Sequence, residues 1–487
     1  GWVASPFHRS GDMCGTCHDV GNVAVTKQPD GTYRYNEIDR ASPTEDLHEM
    51  FPLERTYTEW KLSAFANGGV DMGGRFGGAG SPVIETCQDC HMPKAEAPGC
   101  IFTDPRPDLP RHEFAGAAAP VLDLIAEHYA DDPAVDLPSI ARSRAAAVSM
   151  LERAASLELA QTGANLDVRV TNETGHKIPT GHIEGRRIWI NVQFLDTAGA
   201  IVAEHGHYDD AEAELDEPST VVFEMHVGLS ADAAAATGYA EGPTGHMALA
   251  DTIEKDNRIP PRGFDNAAYD AAGAPTVGES YADGQHWHDS RFEIPQNAVR
   301  AEVTLYYQST PRGYIEALRD ENFSNHWGDT LHAVWEATGR GTPIAMQSRT
   351  IDLISYCTTE VDCDDSNPCT IDACTATRCT HTPRTGSCSD DDPCTLEDTC
   401  VTGACVGSAR DCSALDDDCN AGVCDPDTGN CAAEPVSDGT SCDDGMFCTQ
   451  TDLCITGACI GTGDPCTGQA DCHTTCSEAD DQCLSPA

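Results

Sequence analysis

The chain is short of positive charge: 29 lysines and arginines face 80 aspartates and glutamates, a formal net charge of −51. A polyanion of this kind is repelled by nucleic acid and by anionic lipid, so neither is expected as a partner. The natural counterparts are divalent cations or a basic protein. Long hydrophobic runs are also missing. No stretch of about 20 apolar residues occurs, and no membrane-spanning helix is expected. The sequence has no initiating methionine and no apolar leader. We therefore expect either a removed leader or a fragment of something longer. No nucleophile–base triad stands out, and none of the acidic strings has the EF-hand spacing.

Against these absences stand two short strings, CGTCH at 14–18 and CQDCH at 87–91. Each is a C-x-x-C-H, the spacing of c-type haem attachment. Two thiols three positions apart can bond to both vinyl groups on one porphyrin edge. The histidine that follows is then held under the iron. A zinc knuckle or a thioredoxin-like dithiol is the plainer alternative, but two copies that both end in histidine favour haem. The expected cofactor is haem c at two covalent sites, anchored by Cys14, Cys17, Cys87 and Cys90, with His18 and His91 as iron ligands.

Sixteen of the 18 histidines are not fixed by the motifs, and most must be surface or structural residues. His112 follows the second motif, and His176 sits in GHKIPTG, which would present a rigid imidazole from a strand end. His8 and His48 are further candidates for a sixth ligand. Met72 and Met92 would raise the potential if they ligated, but abundant imidazole makes two nitrogens per iron the better expectation. His128 reads as a helix-surface or cap residue. His182, His246, His286 and His288 read as loop histidines rather than a separate metal site. Arg186 or Arg187 could pair with a haem propionate, although either also reads as a strand-edge arginine. Tyr33, Tyr35, Trp60 and Trp287 are candidate haem-packing aromatics or ordinary core.

Three regions are expected. Residues 1–156 form a haem domain, haem-packed and mostly irregular or helical, with a flexible glycine-rich loop at 68–80. PVLDLIAEHYA and SIARSRAAAVSMLERAASL carry helical spacing, separated by Asp132 and Pro133. Residues 157–355 alternate with period two in ANLDVRVTN, RRIWINVQFLD, AIVAEHG, TVVFEMHVGL and AVRAEVTLYYQS, the pattern of an antiparallel β-sandwich. Short helices close this region near YIEALRDE and DTLHAVWEATG. Residues 356–487 hold 21 of the 26 cysteines and too few large apolar residues for a core, so disulfides must staple them. This acidic tail repeats: Cys388, Cys394, Cys400, Cys405 and Cys412 share their spacing with Cys442, Cys448, Cys454, Cys459 and Cys466. An odd number of tail cysteines leads us to expect a bond from one of them to Cys100. DDSNPCTID, SDDDPCTLED, LDDDC and CDDGMFC gather carboxylates that calcium could take, with solvated acids as the plainer reading.

SPFHRSGDMCGTCHDV, PLERTYTEWKLSAFA, TCQDCHMP, RPDLPRHEFAG, NETGHKIPTGHIEGRRIWINV, KDNRIPPRGF and LYYQSTPRGYIEALRDENFSNHWGD together resemble the multihaem c-type cytochromes with a β-rich C-terminal domain. The resemblance spans about residues 5 to 345. It implies covalent haem, bis-histidine ligation and electron transfer, and it adds weight to His112, which matches a histidine of the family pattern. Family members usually carry further motifs upstream, which this sequence lacks. The tail resembles the Cys-rich repeats of secreted myxobacterial-type proteins, which implies surface display.

The expected function is that of an electron carrier in the periplasm or at the cell exterior, passing electrons to other cytochromes or redox proteins, or to further copies of itself in a haem wire or filament. Haem attachment and a cysteine-dense tail both point to an oxidising compartment. A multihaem oxidoreductase of small nitrogen or sulfur oxyanions is the alternative, and it needs an iron with an open sixth position. Neither motif shows the lysine substitution that would mark one. A surface adhesion or matrix protein is the third reading.

Overall fold

The computed structural model describes residues 5–484 except 38, 77–81, 355, 356, 358, 376, 377 and 468–474. The chain divides into two compact units, 1–355 and 356–487. Among the described residues no helix is long and apolar enough to cross a membrane.

The first unit is built on two antiparallel sheets. In one, Asn165–Asn172 lies between Ala155–Thr162 and Trp287–Glu293. In the other, the order is Ile201–His205, Arg187–Leu195, Arg300–Gln308 and Ile344–Asp352, with Val221–Phe223 also pairing with Arg187–Leu195. Alternation places Leu166, Val168 and Val170 on the inner face of the first sheet. Ala301, Val303, Leu305 and Tyr307 lie on that of the second, and all seven pack in one cluster. The region is mostly β, as expected, its strands running at the period of two that a half-buried sheet imposes.

Two helices precede it. Ala119–His128 opens with proline in its first turn. Leu137–Ala154 opens on Asp136, whose carboxylate accepts the Ser139 N–H at 3.2 Å. The second helix buries Ala147, Met150, Leu151 and Ala154, spaced by three and four. Leu151 and Ala154 join the cluster of the two sheets, whereas Met150 packs with Phe65, Phe76 and Ile84 of the N-terminal region. One helix therefore seats two apolar clusters. It runs straight into strand Ala155–Thr162, with Ala155 already extended.

The N-terminal region departs from the irregular or helical expectation. Val20–Lys27 pairs with Tyr33–Tyr35 and Met50–Glu54 in a three-stranded sheet, and Val70–Asp71 with Val83–Ile84 and Lys94–Pro98 with Pro105–Pro110 form hairpins. These strands are short, and several carry prolines and register shifts. They never complete the alternation that would announce them. Of the glycine-rich stretch, 77–80 lies outside the described residues.

Among the described residues the tail unit holds five two-stranded hairpins in sequence: Thr370–Thr375 with Arg378–Pro383, Thr395–Val401 with Ala404–Ala409, Asn420–Cys424 with Cys431–Pro435, Thr451–Ile455 with Ala458–Thr462, and Thr475–Ser477 with Gln482–Leu484. Among the described residues ten disulfides hold them. Bonds such as Cys388–Cys405 and Cys442–Cys459 tie a hairpin to its own approach segment. Cys369–Cys400, Cys394–Cys424, Cys419–Cys454 and Cys448–Cys476 each join the segment before one hairpin to the next hairpin along. The result is a covalent ladder in place of a core. Each rung closes 16 to 35 residues, a loop for which chain entropy gives about 3 kcal/mol or more. Cys100 is exposed and takes part in none of these bonds. The odd tail cysteine, Cys472, lies outside the described residues. Non-reducing peptide mapping is expected to recover the four hairpin-to-hairpin pairs, and finding only pairs inside single hairpins would refute the ladder.

Candidate functional site

Both C-x-x-C-H strings fold as tight turns of helix, which is how cysteines three apart come to share a face. In the first, helix Asp12–Gly15 carries Cys14, and the His18 N–H returns to the Cys14 carbonyl at 2.9 Å. The second is itself helix Cys87–His91. The residues between its cysteines hold it in place. Asp89 closes a capping box with Thr86 and pairs with Lys94 at 3.3 Å. Gln88 donates to the Ser10 carbonyl at 2.8 Å, tying the second motif to the approach of the first. Cys14 and Cys87 are in side-chain contact. Burial pushes the Cys87 thiol up to about 12 and the Cys90 thiol up as well, so both stay protonated. All four motif cysteines are free of disulfides.

The motifs open onto a cavity of about 260 Å³ whose wall includes Cys14, His18, Cys87, Cys90, His91 and His176. His91 and His176 face one another across it with ring centres 6.4 Å apart and planes inclined by 21°. The His91 Nδ1 lies 2.6 Å from the Ala115 carbonyl and the His176 Nδ1 lies 3.0 Å from the Lys177 carbonyl. A carbonyl only accepts, so each Nδ1 carries the proton and each Nε2 keeps its lone pair. Burial lowers both pKa values, that of His176 to about 4, with the neighbouring His91 adding to the effect. Two neutral imidazoles thus face the cavity from opposite sides. His18 is oriented differently: its Nδ1 meets Glu54 Oε1 at 3.1 Å, and that carboxylate raises its pKa. A carboxylate behind a ligating imidazole fixes the ring and raises its basicity.

The GHKIPTG segment that carries His176 is fixed by a buried set of charges. Lys177 is fully buried, and its Nζ donates to Asp256 at 2.8 Å and to the Ala274 and Pro275 carbonyls at 2.9 and 2.7 Å. Arg258 grips Asp256 through two bonds of 2.7 Å and reaches Glu59 at 3.0 Å. Glu59, in helix Thr56–Leu62, accepts the Lys177 backbone N–H at 3.0 Å. Burial alone would raise the Asp256 pKa, but Arg258 and Lys177 outweigh it and hold the carboxyl below its ordinary value. Asp256 is thereby held ionised between two cations, burial pushes the Glu59 carboxyl up, and each of the four side chains is hydrogen-bonded, the condition under which charge is tolerated inside a protein. Gly175 completes the seat: a Cβ there would lie 3.0 Å from the Trp60 ring.

The remaining expected residues fall elsewhere. His112 is exposed with Phe114 as its ring neighbour and is not part of the cavity wall. His8 is exposed beside Phe7, and the His48 Nε2 meets Thr58 Oγ1 at 3.1 Å. His128 ends its helix against Tyr129 and Trp327. His182, His246, His286 and His288 each have their own partner, respectively Tyr314, Glu321, the Gly284 carbonyl and Glu279. Met92 lines the cavity and Met72 packs beside Phe65. Of the four aromatics, Trp60 is in the wall, while Tyr33 packs on Phe51 and Trp287 under Arg169. Arg187 is used by Glu217 at 2.7 Å and Gln308 at 3.0 Å, whereas Arg186 lines the cavity.

The calcium expectation for the tail finds no support. Asp365, Asp390 and Asp444 accept from backbone N–H groups two residues on and from Thr370, Thr395 and Thr449, closing the turns before their hairpins. The donor clusters there are largely sulfurs already spent in disulfides, Cys357, Cys363 and Cys374 among them. The charged set around Lys177 was missed by sequence reasoning. Its one signal was a lysine between His176 and Ile178, in a segment otherwise built to be buried.

Neither a protein-family model nor a curated protein matches the chain. Among solved structures, the chain is similar to the crystal structure of a penta-heme cytochrome c552 from Thermochromatium tepidum, at 15% identity and a TM-score of 0.36. The match covers 71% of this chain and 57% of that one, so the chain spans little more than half of its length.

Proposed function

We propose that the protein is an extracytoplasmic c-type cytochrome that carries electrons. The observation that carries this reading is the His91–His176 pair beside a C-x-x-C-H. Two metal–nitrogen bonds of about 2 Å, extended to the ring centres, span roughly 6 Å, which the 6.4 Å separation matches. The donor set fits the group as well: all four motif thiols are left outside the disulfides, and the imidazole lone pairs are already free.

In this reading Cys14 and Cys17 anchor one haem and Cys87 and Cys90 the other. His18 and His91 ligate from the motif side, and His176 closes the His91 site from the β region. A haem so held supplies one-electron transfer at an iron closed to substrate. The chain's own part is to keep the two imidazoles fixed through Ala115, Lys177 and the charges behind Lys177. Little then moves when an electron arrives. Residues 1–156 act as the haem region, 157–355 as the β region supplying His176, and the tail as a disulfide-stapled extension. Ten disulfides support an oxidising compartment, and the net charge of −51 favours a basic redox partner.

Pyridine-haemochrome analysis of protein expressed with a haem-attachment system is expected to give two haems per chain. The C87S/C90S variant should give one. A wild-type chain that carries none would refute the reading.

A further inference from the structure

Arg186 and Tyr307 are left over by everything described so far, and both are in the cavity wall. The apolar Ile188 and Met346 line the same cavity. A guanidinium offers five N–H donors, yet the Arg186 group makes one hydrogen bond, to the Thr180 carbonyl. No carboxylate lies within ion-pair distance of it among the described residues. Glu54 is near enough to feel its field but is engaged by His18 and Thr56. Tyr307 is 1% exposed, and its hydroxyl has the Ser309 Oγ beside it, but neither oxygen makes a well-formed hydrogen bond. The field of Arg186 reaches Tyr307.

A buried hydroxyl with donor capacity to spare is costly, and the half-buried Arg186 guanidinium beside the same cavity has donors left over. They become favourable together if an anion enters between them. Gly181, whose φ of +85° is what calls for glycine, lies directly against the guanidinium, with the Arg186 Nη1 2.1 Å from where a Cβ would sit.

We propose that Arg186 and Tyr307 form a carboxylate anchor in this cavity and that its occupant is a haem propionate. The assignment rests on the cytochrome reading and deepens it. Sequence alone left Arg186 and Arg187 equal. Arg187 is satisfied by Glu217 and Gln308, and Arg186 is the one facing the site. The guanidinium offsets the propionate charge and adds positive potential near the iron, which favours the reduced state. The same donors could instead hold a free small oxyanion, so the test must separate the two.

The experiment uses the haem-loaded full chain and its R186Q, R186K and Y307F variants, with haem count and spectroelectrochemical titration on each. All four should hold two haems, since attachment is through cysteine. R186Q is expected to lower the reduced-to-oxidised ratio of one haem about tenfold at fixed potential, which is about 59 mV for one electron. Y307F should shift it less, in the same direction, and R186K should keep most of the wild-type value because it keeps the charge. Two haems with unchanged potentials in both R186Q and Y307F would overturn the anchor alone. A wild type without haem would remove the anchor and the cytochrome reading together. Acetate and nitrite titrated into the oxidised wild type should leave the Soret band unmoved. An anion-dependent shift that R186Q abolishes would give the site to a free oxyanion and overturn the propionate assignment.

Discussion

Replacing Asp256 by asparagine is expected to destabilise the 1–355 unit by about 3–5 kcal/mol, the cost of breaking a buried ion pair from one side. The change is nearly isosteric, so packing is not what fails. The two cations that Asp256 holds, Lys177 at 2.8 Å and Arg258 at 2.7 Å, lose their shared anion, and Glu59 alone must balance them. Unfolding entropy of about 2.1 cal/mol/K per residue over the 355 residues of the unit turns about 4 kcal/mol into a fall of roughly 5 °C in the thermal midpoint. The double variant K177M/D256L removes one charge of each sign and should recover much of that loss, because buried pairs are often replaceable by apolar groups of similar size. Calorimetry of the haem-loaded single and double variants measures both effects. Losses that simply add would show that Lys177 and Asp256 do not act as a pair.

That charged set also marks where sequence reasoning stops. Glu59 and Arg258 are 199 residues apart, and each alone looks like an ordinary surface charge in a polar stretch. Only the fold brings them together. The strands that were legible, Asn165–Asn172, Arg187–Leu195 and Arg300–Gln308, are long and carry a buried residue at alternate positions or throughout. Ala155–Thr162 was blurred because an alanine-rich helix passes into it with no turn residue between them. Ile344–Asp352 is largely exposed along its length, so it lacks an apolar stripe.

The site divides in the same way. A C-x-x-C-H string is local, so the cysteines and histidines that the proposed haems would use can be picked out by spacing alone. The second imidazole is a tertiary fact: His112 is closer in sequence to His91, yet it is His176, from the far side of the helices, that lies opposite it. In the tail, spacing revealed the repeat but not the connectivity. The hairpin-to-hairpin bonds run between modules, and equal spacing within modules cannot tell them from pairs closed inside one.

The His176→Ala protein is expected to keep two covalent haems but to lose nearly all of the low-spin signal of the His91 haem in low-temperature EPR, with a high-spin signal in its place. The physical case is specific to this residue. Its Nδ1 is committed to the Lys177 carbonyl, and burial keeps the ring neutral, so its Nε2 lone pair has no other role inside the cavity. Removal takes away the donor and leaves the rest of the site standing. Lys177, Glu59, Asp256 and Arg258 hold the segment through groups other than the imidazole, and the thermal midpoint should fall much less than for Asp256→Asn. Added imidazole should restore the low-spin signal by filling the space the side chain left. His112→Ala serves as the control and should leave the spectrum as it was, since His112 is exposed and outside the cavity wall. If His176→Ala stays low-spin while His112→Ala does not, the partner of His91 is His112, and the carbonyl-oriented imidazole at 176 is there for packing alone.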